Sequence, residues 1–493
     1  MKTILTLLSF IVFSMQLNAQ FTLSLKGKDP KSGQTLELKE ISSKEGFGQA
    51  LILKGGELKS VGLNEIKKID YEINNLKDFW QNQAVKNEVY ENLLKYGFQY
   101  DLRRDWEEEA LKYLNELEQN NLTFEDSYLE NYLYSLTYKL YPGSINDGRP
   151  GILNVKLMID NAPNAFIFPS GTMILTTGLL STINSEEELI AIMAHEVSHF
   201  VLDHSTININ KAIQRQKNAE FWAAFVTGLA AATELYASSR NEYYVPGALT
   251  YSTAILSFNL ASAFTERLGL KYSRDQEIAA DKCAVELLKY LKIDPTALSS
   301  ALAKIKDYCI VTGNYYALTG NGSHPNISER ISLIGKPNLF TSSTYDKLIS
   351  FVNTTNAINE FNNKHFIACQ NLVNRNINAG VPTEDDYVLK AMTNLYLYDN
   401  LEKNLESLEL INKAKNLNVA PTINIHKQEA LVLIRLNKNT EALIALKTYS
   451  DKLDQALNDI ESIKNENSWF LAKQYLEDEK TWTSKMTYKV KTM

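Results

Sequence analysis

Residues 195–199 read His-Glu-Val-Ser-His, an H-E-x-x-H motif, and they are the strongest candidates for chemistry in this chain. Residues four apart lie on one face of an α-helix, so His195 and His199 can direct two imidazole nitrogens at a single metal ion. Glu196 lies beside them, where it can act as the general base. This combination predicts one bound Zn2+ per chain and zinc-assisted hydrolysis.

The residues around the motif predict that it is helical. Ser185 and Glu188 have the spacing of a capping box at a helix N-terminus. The apolar residues that follow recur at helical spacing and predict a stripe facing the core: Leu189, Ile192, Met193, Val197, Phe200 and Val201. Two histidines that flank a glutamate on a buried helix favour a metal site over a purely structural role.

A zinc hydrolase of this kind needs a third protein ligand beside the two histidines and the water. In the metzincin pattern the motif continues with a glycine and then a histidine. Leu202 and Ser205 hold those positions here, so that class is excluded. A glutamate from a later helix is the alternative source of the ligand.

Residues 273–284 supply such a glutamate. Ser273 and Gln276 predict a second capping box, and Glu277 and Asp281 then fall four apart on one helical face. Glu277 can bind the metal while Asp281 orients a histidine through its second ring nitrogen. The spacing alone leaves another interpretation open, in which Glu277 is a solvated charge on the helix surface.

Two kinds of periodicity divide the N-terminal part of the chain. Residues 20–73 alternate apolar and polar positions between glycines, which predicts a small β-rich unit. From residue 74 the period becomes helical. An amphipathic stripe over residues 128–140 ends before Pro142-Gly143, which should stop the helix.

Two strand-like segments precede the motif helix. They are residues 152–159 and residues 165–176, and Pro169-Ser170-Gly171 interrupts the second. A strand that contains proline and glycine belongs at a sheet edge. Endopeptidases commonly bind extended substrate by adding it to such an edge, whereas the plain alternative is a turn between two short strands.

Two apolar stretches lie between the predicted catalytic helices, at residues 222–233 and 246–264. The first is too short for a transmembrane helix, and the second carries too many polar residues. We expect a helical hairpin that is either buried or in peripheral contact with a membrane surface.

An approximate internal repeat marks the C-terminal part of the chain. After about residue 341 the pattern is helical, and similar residues recur at a constant offset. The matched pairs are Leu395 with Leu433, Tyr398 with Leu436, Leu405 with Leu443, and Leu408 with Leu446. Helix pairs of this length resemble tetratricopeptide units, which bind protein partners in a concave groove. A simple helical bundle packed on the rest of the protein is the alternative.

The N-terminus has the pattern of a secretory signal peptide. Lys2 precedes an apolar run over residues 4–15, and Ala19 is the small residue expected before the cleavage site. The run is short for a membrane span, and no cysteine follows it to accept a lipid. We therefore expect residues 1–19 to be removed and the protein to be exported, in the first place to the periplasm. Secretion and membrane association through a signal anchor are the alternatives.

Composition narrows the class of protein. At 493 residues, with 44% hydrophobic and 22% charged residues, the chain should form two or three globular domains. The net charge of −7 argues against a nucleic-acid ligand. Cys283, Cys309 and Cys369 are an odd and scattered set, expected to be small buried hydrophobes. A single bridge between Cys283 and Cys309 is the alternative.

Further short motifs accompany H-E-x-x-H in a fixed order. They are Asn164-Ala165-Phe166-Ile167-Phe168-Pro169-Ser170-Gly171, Gly178-Leu179-Leu180, Glu188-Leu189, Ser273-Arg274, Glu277-x-x-Ala280-Asp281, His324-Pro325 and Arg330. This set resembles the HtpX and BepA type of gluzincin metallopeptidase, the family that also contains the CAAX prenyl endopeptidases. The resemblance covers about residues 125–335. The leader and the repeat-like tail favour its soluble exported branch.

The resemblance implies roles for individual residues. Glu277 would be the third zinc ligand, and the segment Asn164-Ala165-Phe166 would begin the edge strand beside the substrate cleft. His324 would be a fourth ligand, on a loop that covers the zinc in a closed resting state. Arg330 would steady that loop or the tetrahedral oxyanion.

Together these observations predict an α+β protein that is mostly α-helical. We expect four parts: a signal peptide at 1–19, a small β-rich unit at 20–73, a gluzincin-type zinc metallopeptidase domain with a small sheet at 74–340, and an α-helical tetratricopeptide-like domain at 341–493. The expected function is zinc-dependent endoproteolysis of exported or envelope proteins, including misfolded ones, in quality control. A chaperone-like scaffold with little turnover and a membrane-associated prenyl or lipopeptide protease are the alternatives.

Overall fold

The computed structural model describes residues 20–44, 47–90, 98–119, 122–143, 145, 149–208, 272–311, 326–417, 422–460 and 467–493. The predicted signal peptide, both apolar stretches and the pair His324-Pro325 lie outside these ranges. In the described residues the protein is α+β and mostly α-helical, as predicted. Within the same residues, no helix has both the length and the apolar character that a membrane crossing requires.

The N-terminal region forms a five-stranded antiparallel sheet with strand order β4-β3-β2-β1-β5. Its strands are β1 (Gln20–Lys28), β2 (Thr35–Lys44), β3 (Phe47–Lys54), β4 (Glu57–Gly62) and β5 (Asp70–Tyr71). Helix α1 (Leu63–Ile66) connects the last two strands. Alternate residues such as Leu23, Leu25, Leu36 and Leu38 are buried, as the period of two requires.

The helices with described bounds between this sheet and the region of the motif are α2 (Leu76–Lys86), α3 (Phe98–Gln119) and α4 (Ser127–Leu140). The Trp80 indole on α2 donates to the carbonyl of Leu140 at 2.9 Å, and Gln83 donates to Glu286 at 2.5 Å. Buried residues of the sheet, of α2 and of the motif region form one continuous hydrophobic core. The predicted domain boundary at residue 73 therefore falls where the packing is continuous, and it remains a prediction.

A second sheet of three strands has the order β6-β8-β7. It consists of β6 (Asn154–Met158), β7 (Ala165–Ile167) and β8 (Thr172–Thr176). Strand β8 is parallel to β6 and antiparallel to β7, so the interrupted segment is a tight hairpin whose first strand lies at the edge. Gly171 closes the turn at φ +87°, and a Cβ there would lie 2.7 Å from the Pro150 ring. Only glycine fits both constraints.

The motif helix is central to this region. The helices here are α5 (Thr177–Thr182), α6 (Glu186–Val201), α7 (Arg274–Tyr290), α8 (Thr296–Val311) and α9 (Ile327–Ile334). Every residue of α6 from Glu188 to Val201 is buried, so the predicted one-sided stripe was too narrow: neighbours cover the helix all round. Ser185 caps α6 as predicted, but Glu188 accepts from the Asn184 backbone and from Lys304 instead of completing a capping box.

The described residues of the C-terminal region form helices, and successive helices pack against each other. They are α10 (Ser343–Leu348), α11 (Ser350–Asn362), α12 (Phe366–Ala379), α13 (Glu384–Leu397), α14 (Leu401–Leu417), α15 (Ile423–Arg435), α16 (Asn439–Asp459) and α17 (Asn467–Thr492). The matched residues of the internal repeat lie on two successive helix pairs, α13 with α14 and α15 with α16, except that Tyr398 and Leu436 follow the last residues of α13 and α15. Both a tetratricopeptide-like array and a packed bundle agree with these pairs, so the repeat class remains a prediction.

Polar contacts join these helices to the motif region. The Ser181 hydroxyl at the end of α5 donates to Asn353 at 2.9 Å and accepts from Asn356 at 2.8 Å. Arg375 on α12 donates to the carbonyls of Ser181 and Ile183 at 2.8 and 2.9 Å. The three cysteines form no bridge: all are buried free thiols, as expected of small hydrophobes.

Candidate metal centre

Helix α6 presents both histidines of the motif to one point. The Nε2 atoms of His195 and His199 lie 3.0 Å apart, although their residues are separated by a full helical turn. Both rings are buried, at 2% and 0% exposure, and Glu196 between them is exposed by 1%. The helical spacing therefore produces the convergence that the sequence predicted for the two imidazoles.

Helix α7 adds the carboxylate of Glu277 to this point. The helix begins with a complete capping box between Ser273 and Gln276, which fixes its first turn and hence the position of Glu277. Glu277 Oε1 lies 3.4 Å from Nε2 of His199, and Oε2 lies 3.5 Å from Nε2 of His195. Because Glu277 is 0% exposed, the interpretation as a solvated charge is excluded.

The spacing of these three donors fits zinc. One ligand atom each from His195, His199 and Glu277 lies within 4.8 Å of the others. Tetrahedral zinc holds nitrogen and oxygen ligands at about 2.0–2.2 Å, which separates neighbouring ligand atoms by roughly 3.3–3.5 Å. Two imidazoles and one carboxylate are also a ligand set that catalytic zinc uses.

Asp281 lies behind His195, one turn along α7 from Glu277. Its Oδ1 is 2.9 Å from Nδ1 of His195, the nitrogen that does not face the other ligands. Burial and the Arg330 charge act to lower the pKa of His195, but the hydrogen bonds to Asp281 and Glu277 outweigh them and raise it to about 9. In a neutral His195 ring the Asp281 carboxylate accepts the hydrogen bond of Nδ1–H, which leaves the Nε2 lone pair for a metal.

Arg330 on α9 braces both carboxylates of α7. Its Nη1 lies 2.6 Å from Glu277 Oε2, and its Nε and Nη2 each lie 2.8 Å from an oxygen of Asp281. Burial acts to raise the pKa of Asp281, but the charge and hydrogen bonds of Arg330, with those of His195, lower it. The sequence singled out Arg330 as a residue that supports the site, and the structure shows its partners there to be the carboxylates of Glu277 and Asp281.

Two further side chains contact His199, and sequence reasoning missed one of them, Tyr272. Tyr272 stacks on the His199 ring with centroids 3.6 Å apart, and His204 Nδ1 lies 2.9 Å from His199 Nδ1. Burial lowers the pKa of His199 well below its ordinary value and that of His204 to about 4. The position of His204 shortly after the motif favours a structural hydrogen bond, whereas nothing in the sequence distinguishes Tyr272 from a core aromatic.

Strand β7 lies beside α6 at the edge of its sheet. Within the described residues it pairs with β8 alone, through Ala165, Phe166 and Ile167, whose side chains are all buried. Asn164 precedes the strand and accepts from the Ala165 backbone N–H at 3.0 Å.

The part of this chain that is similar to known proteins contains the whole candidate metal centre. Residues 145–338 match the profile of Peptidase family M48. The Protease HtpX homolog of Fusobacterium nucleatum is 26% identical over 218 residues, which covers 37% of this chain and 65% of that protein. The Mitochondrial metalloendopeptidase OMA1 of Schizosaccharomyces pombe is 27% identical over 175 residues, covering 36% of this chain and 43% of that protein.

A third relative is named for a role in β-barrel assembly. The Beta-barrel assembly-enhancing protease of Escherichia coli strain K12 is 24% identical over 195 residues, 40% of this chain and 36% of that protein. The chain thus spans between about a third and two thirds of the length of the curated relatives it matches. In all three, the similarity is confined to well under half of this chain.

Proposed function

We propose that this protein, which carries a Peptidase family M48 domain at residues 145–338, is a zinc-dependent endopeptidase. The observation that carries the proposal is the buried group of His195, His199 and Glu277, with ligand atoms at the spacing zinc requires. When bound there, zinc supplies Lewis acidity, which lowers the pKa of water towards about 7 and polarises a carbonyl.

The chain's own residues divide the remaining work. The metal would be held by His195, His199 and Glu277. Asp281 would keep His195 oriented, and Arg330 would keep Glu277 oriented. The Glu196 carboxylate would take a proton from the attacking water and deliver it to the leaving amine. A base in this position contributes about 10²- to 10⁴-fold to the rate.

The sheet edge beside the centre supports a proposal for the substrate class. Strand β7 is a short edge strand with buried side chains, so it suits an extended polypeptide that adds as a further strand through backbone hydrogen bonds. Binding of this kind selects a substrate by its extended conformation more than by the identity of its side chains. We therefore infer that unfolded or extended segments of proteins are cleaved.

The proposed cellular role is quality control of envelope proteins in the periplasm. The signal-peptide pattern of residues 1–19 supports export, and the periplasm is the proposed compartment. Similarity to a Beta-barrel assembly-enhancing protease supports action on envelope proteins in quality control. The C-terminal helices α11 to α17 would then recruit substrates or partners.

Metal analysis and proteolysis on the purified protein test the catalytic proposal. We expect one zinc per chain, cleavage of a labelled unfolded protein, loss of cleavage with a chelator, and recovery when zinc is returned. Glu196→Gln should keep the zinc and lose roughly 10²- to 10⁴-fold in rate.

A matched substitution controls for the loss of a carboxylate on the same helix. Glu187 is exposed in the first turn of α6, so Glu187→Gln should leave both zinc content and rate unchanged. Wild-type turnover by Glu196→Gln would reject the assignment of the base. A protein that binds no zinc would reject the proposed function as a whole.

A further inference from the structure

We propose that His204 is a positioning residue that holds His199 in the tautomer and ring orientation needed to bind zinc. The inference rests on the proposed zinc site and adds a member to it. Its basis is a contact between two buried histidines: Nδ1 of His204 lies 2.9 Å from Nδ1 of His199. His204 is 7% exposed and His199 is 0% exposed, so neither ring turns freely towards solvent.

The path of the chain brings His204 to this position. In a continuous helix, residues five apart are rotated by about 140°, so residues 199 and 204 would face different directions. Helix α6 ends instead at Val201, and Asp203 adopts the left-handed region with φ 60°. Aspartate is among the few residues that tolerate this conformation. The break turns the chain, and residues 204–208 form a new helical stretch that starts at His204.

The direction of the hydrogen bond follows from the position of His199. Its Nε2 faces the other ligand atoms, 3.0 Å from Nε2 of His195 and 3.4 Å from Glu277 Oε1. A lone pair on Nε2 for the metal requires that the proton of the neutral ring reside on Nδ1. The Nδ1–H of His199 then donates to His204 Nδ1, and His204 carries its own proton on Nε2.

The ring of His199 is also fixed from the side. Tyr272 stacks on it with a centroid separation of 3.6 Å and an interplanar angle of 19°. The Tyr272 hydroxyl lies 2.8 Å from Ser205 Oγ, next to His204 in the chain. Stacking limits tilting of the ring, whereas only a hydrogen bond at Nδ1 selects the tautomer.

The two histidine ligands are therefore held by different means. Nδ1 of His195 contacts a carboxylate, Asp281, whose charge Arg330 balances. Nδ1 of His199 contacts a neutral imidazole. An acceptor at residue 204 performs for the second ligand what Asp281 performs for the first, without adding a negative charge to the centre.

Two substitutions of His204 test this proposal, because one keeps a hydrogen-bond acceptor and the other keeps only the volume of the side chain. Asparagine places an amide oxygen near the position of Nδ1, whereas leucine keeps comparable volume and removes the acceptor. We expect His204→Leu to weaken zinc binding by about 10- to 100-fold, the usual effect of losing a ligand's hydrogen-bond partner. His204→Asn should stay within a few-fold of wild type.

The measurement is the zinc dissociation constant of the purified protein, by competition with a chromophoric chelator. The visible absorption of the cobalt-substituted protein reports ligand geometry independently, and His204→Leu should change it while His204→Asn retains it. His426, on α15 beside Glu429, provides the control: His426→Leu should leave zinc affinity unchanged. If His204→Leu does not fold, His204→Gln, whose amide is displaced by one methylene, replaces it with the same expected weakening.

Two results would overturn the proposal while leaving the zinc site intact. One is wild-type zinc affinity in His204→Leu, and the other is equal weakening in the leucine and asparagine variants. Absence of zinc binding by the wild-type protein is distinguishable from both, because it removes the proposed function and this inference together.

Discussion

Nη1 of Arg330 lies 2.6 Å from Oε2 of Glu277, so the carboxylate that faces the two histidines is also ion-paired with a buried guanidinium. The same side chain binds both oxygens of Asp281 in a forked arrangement. Two carboxylates from one helix are thereby held in place by one cation from another. The geometry of the centre consequently depends on the packing of α9 against α7.

Replacement of Arg330 should destabilise the folded protein even without metal. Arg330→Met leaves Glu277 and Asp281 as buried carboxylates without their main counter-charge, at a cost of roughly 3–5 kcal/mol in the free energy of unfolding. Urea unfolding in the presence of a chelator measures this loss. Arg274→Met removes an exposed ion pair with Glu329 and should cost less than about 1 kcal/mol. A loss of similar size in both variants would contradict the bracing role of Arg330.

Loss of the Asp281 carboxylate should weaken zinc binding more than it weakens the fold. Asp281→Asn keeps the shape of the side chain but gives up the charge that orients His195 and increases its basicity. We expect about a 10- to 100-fold rise in the zinc dissociation constant, measured by chelator competition. Asp275, which is exposed on the same helix, is the matched control, and Asp275→Asn should bind zinc normally. Unaltered affinity in Asp281→Asn would show that His195 is oriented by other groups.

The loop before β7 is anchored by helix α11, and release of that anchor should affect substrate binding. Buried Asn161 donates to Glu360 Oε1 at 2.7 Å and to the Asn356 carbonyl at 3.2 Å, and it accepts from Asn359 at 3.2 Å. A Cβ at Gly178 would lie 2.1 Å from the Asn161 carbonyl, so the loop also packs directly on α5.

If extended substrate adds to β7, Asn161→Ala should raise KM for a long unfolded protein several-fold, because the strand is less well positioned. Zinc content should not change, since the metal ligands lie on other elements. Steady-state kinetics with metal analysis measures both quantities, with exposed Asn378→Ala as the control. A fall in kcat with constant KM would argue against the edge-strand role.

The pH dependence of stability should include a contribution from Asp386. Burial raises the pKa of this carboxyl from 3.8 to about 6, against the opposing hydrogen bonds of Thr383, Asn376 and Thr354. Between about pH 4 and 6 the folded state therefore binds more protons than the unfolded state, so stability is greatest below this range and falls as pH rises through it.

Comparison with a variant that cannot ionise isolates this effect. The free energy of unfolding of the wild type, relative to Asp386→Asn, should decrease by on the order of 3 kcal/mol between pH 4 and 7. Chemical denaturation at several pH values measures the difference. Asp399→Asn, which alters a carboxyl that is almost fully exposed, is the surface control. A constant difference for Asp386→Asn would exclude the raised pKa.

Local sequence patterns were sufficient for the elements that carry the centre. The i, i+4 spacing of His195 and His199 and the capping residues Ser185 and Ser273 act within one or two helical turns, so their consequences are the same in any fold. The interrupted strand likewise became a hairpin, because Pro169 and Gly171 permit little else.

Only the tertiary structure decided which side chains of separate elements contact each other at the centre. Spacing left Glu277 either a ligand or a solvated charge, and only the packing of α7 on α6 buries it opposite the histidines. The fork of Arg330, the stack of Tyr272 and the contact of His204 with His199 depend on contacts between separate elements or on a turn that breaks α6. Helical periodicity encodes which residues share a face, but desolvation and ion pairing depend on distances between faces, which form only when the chain folds.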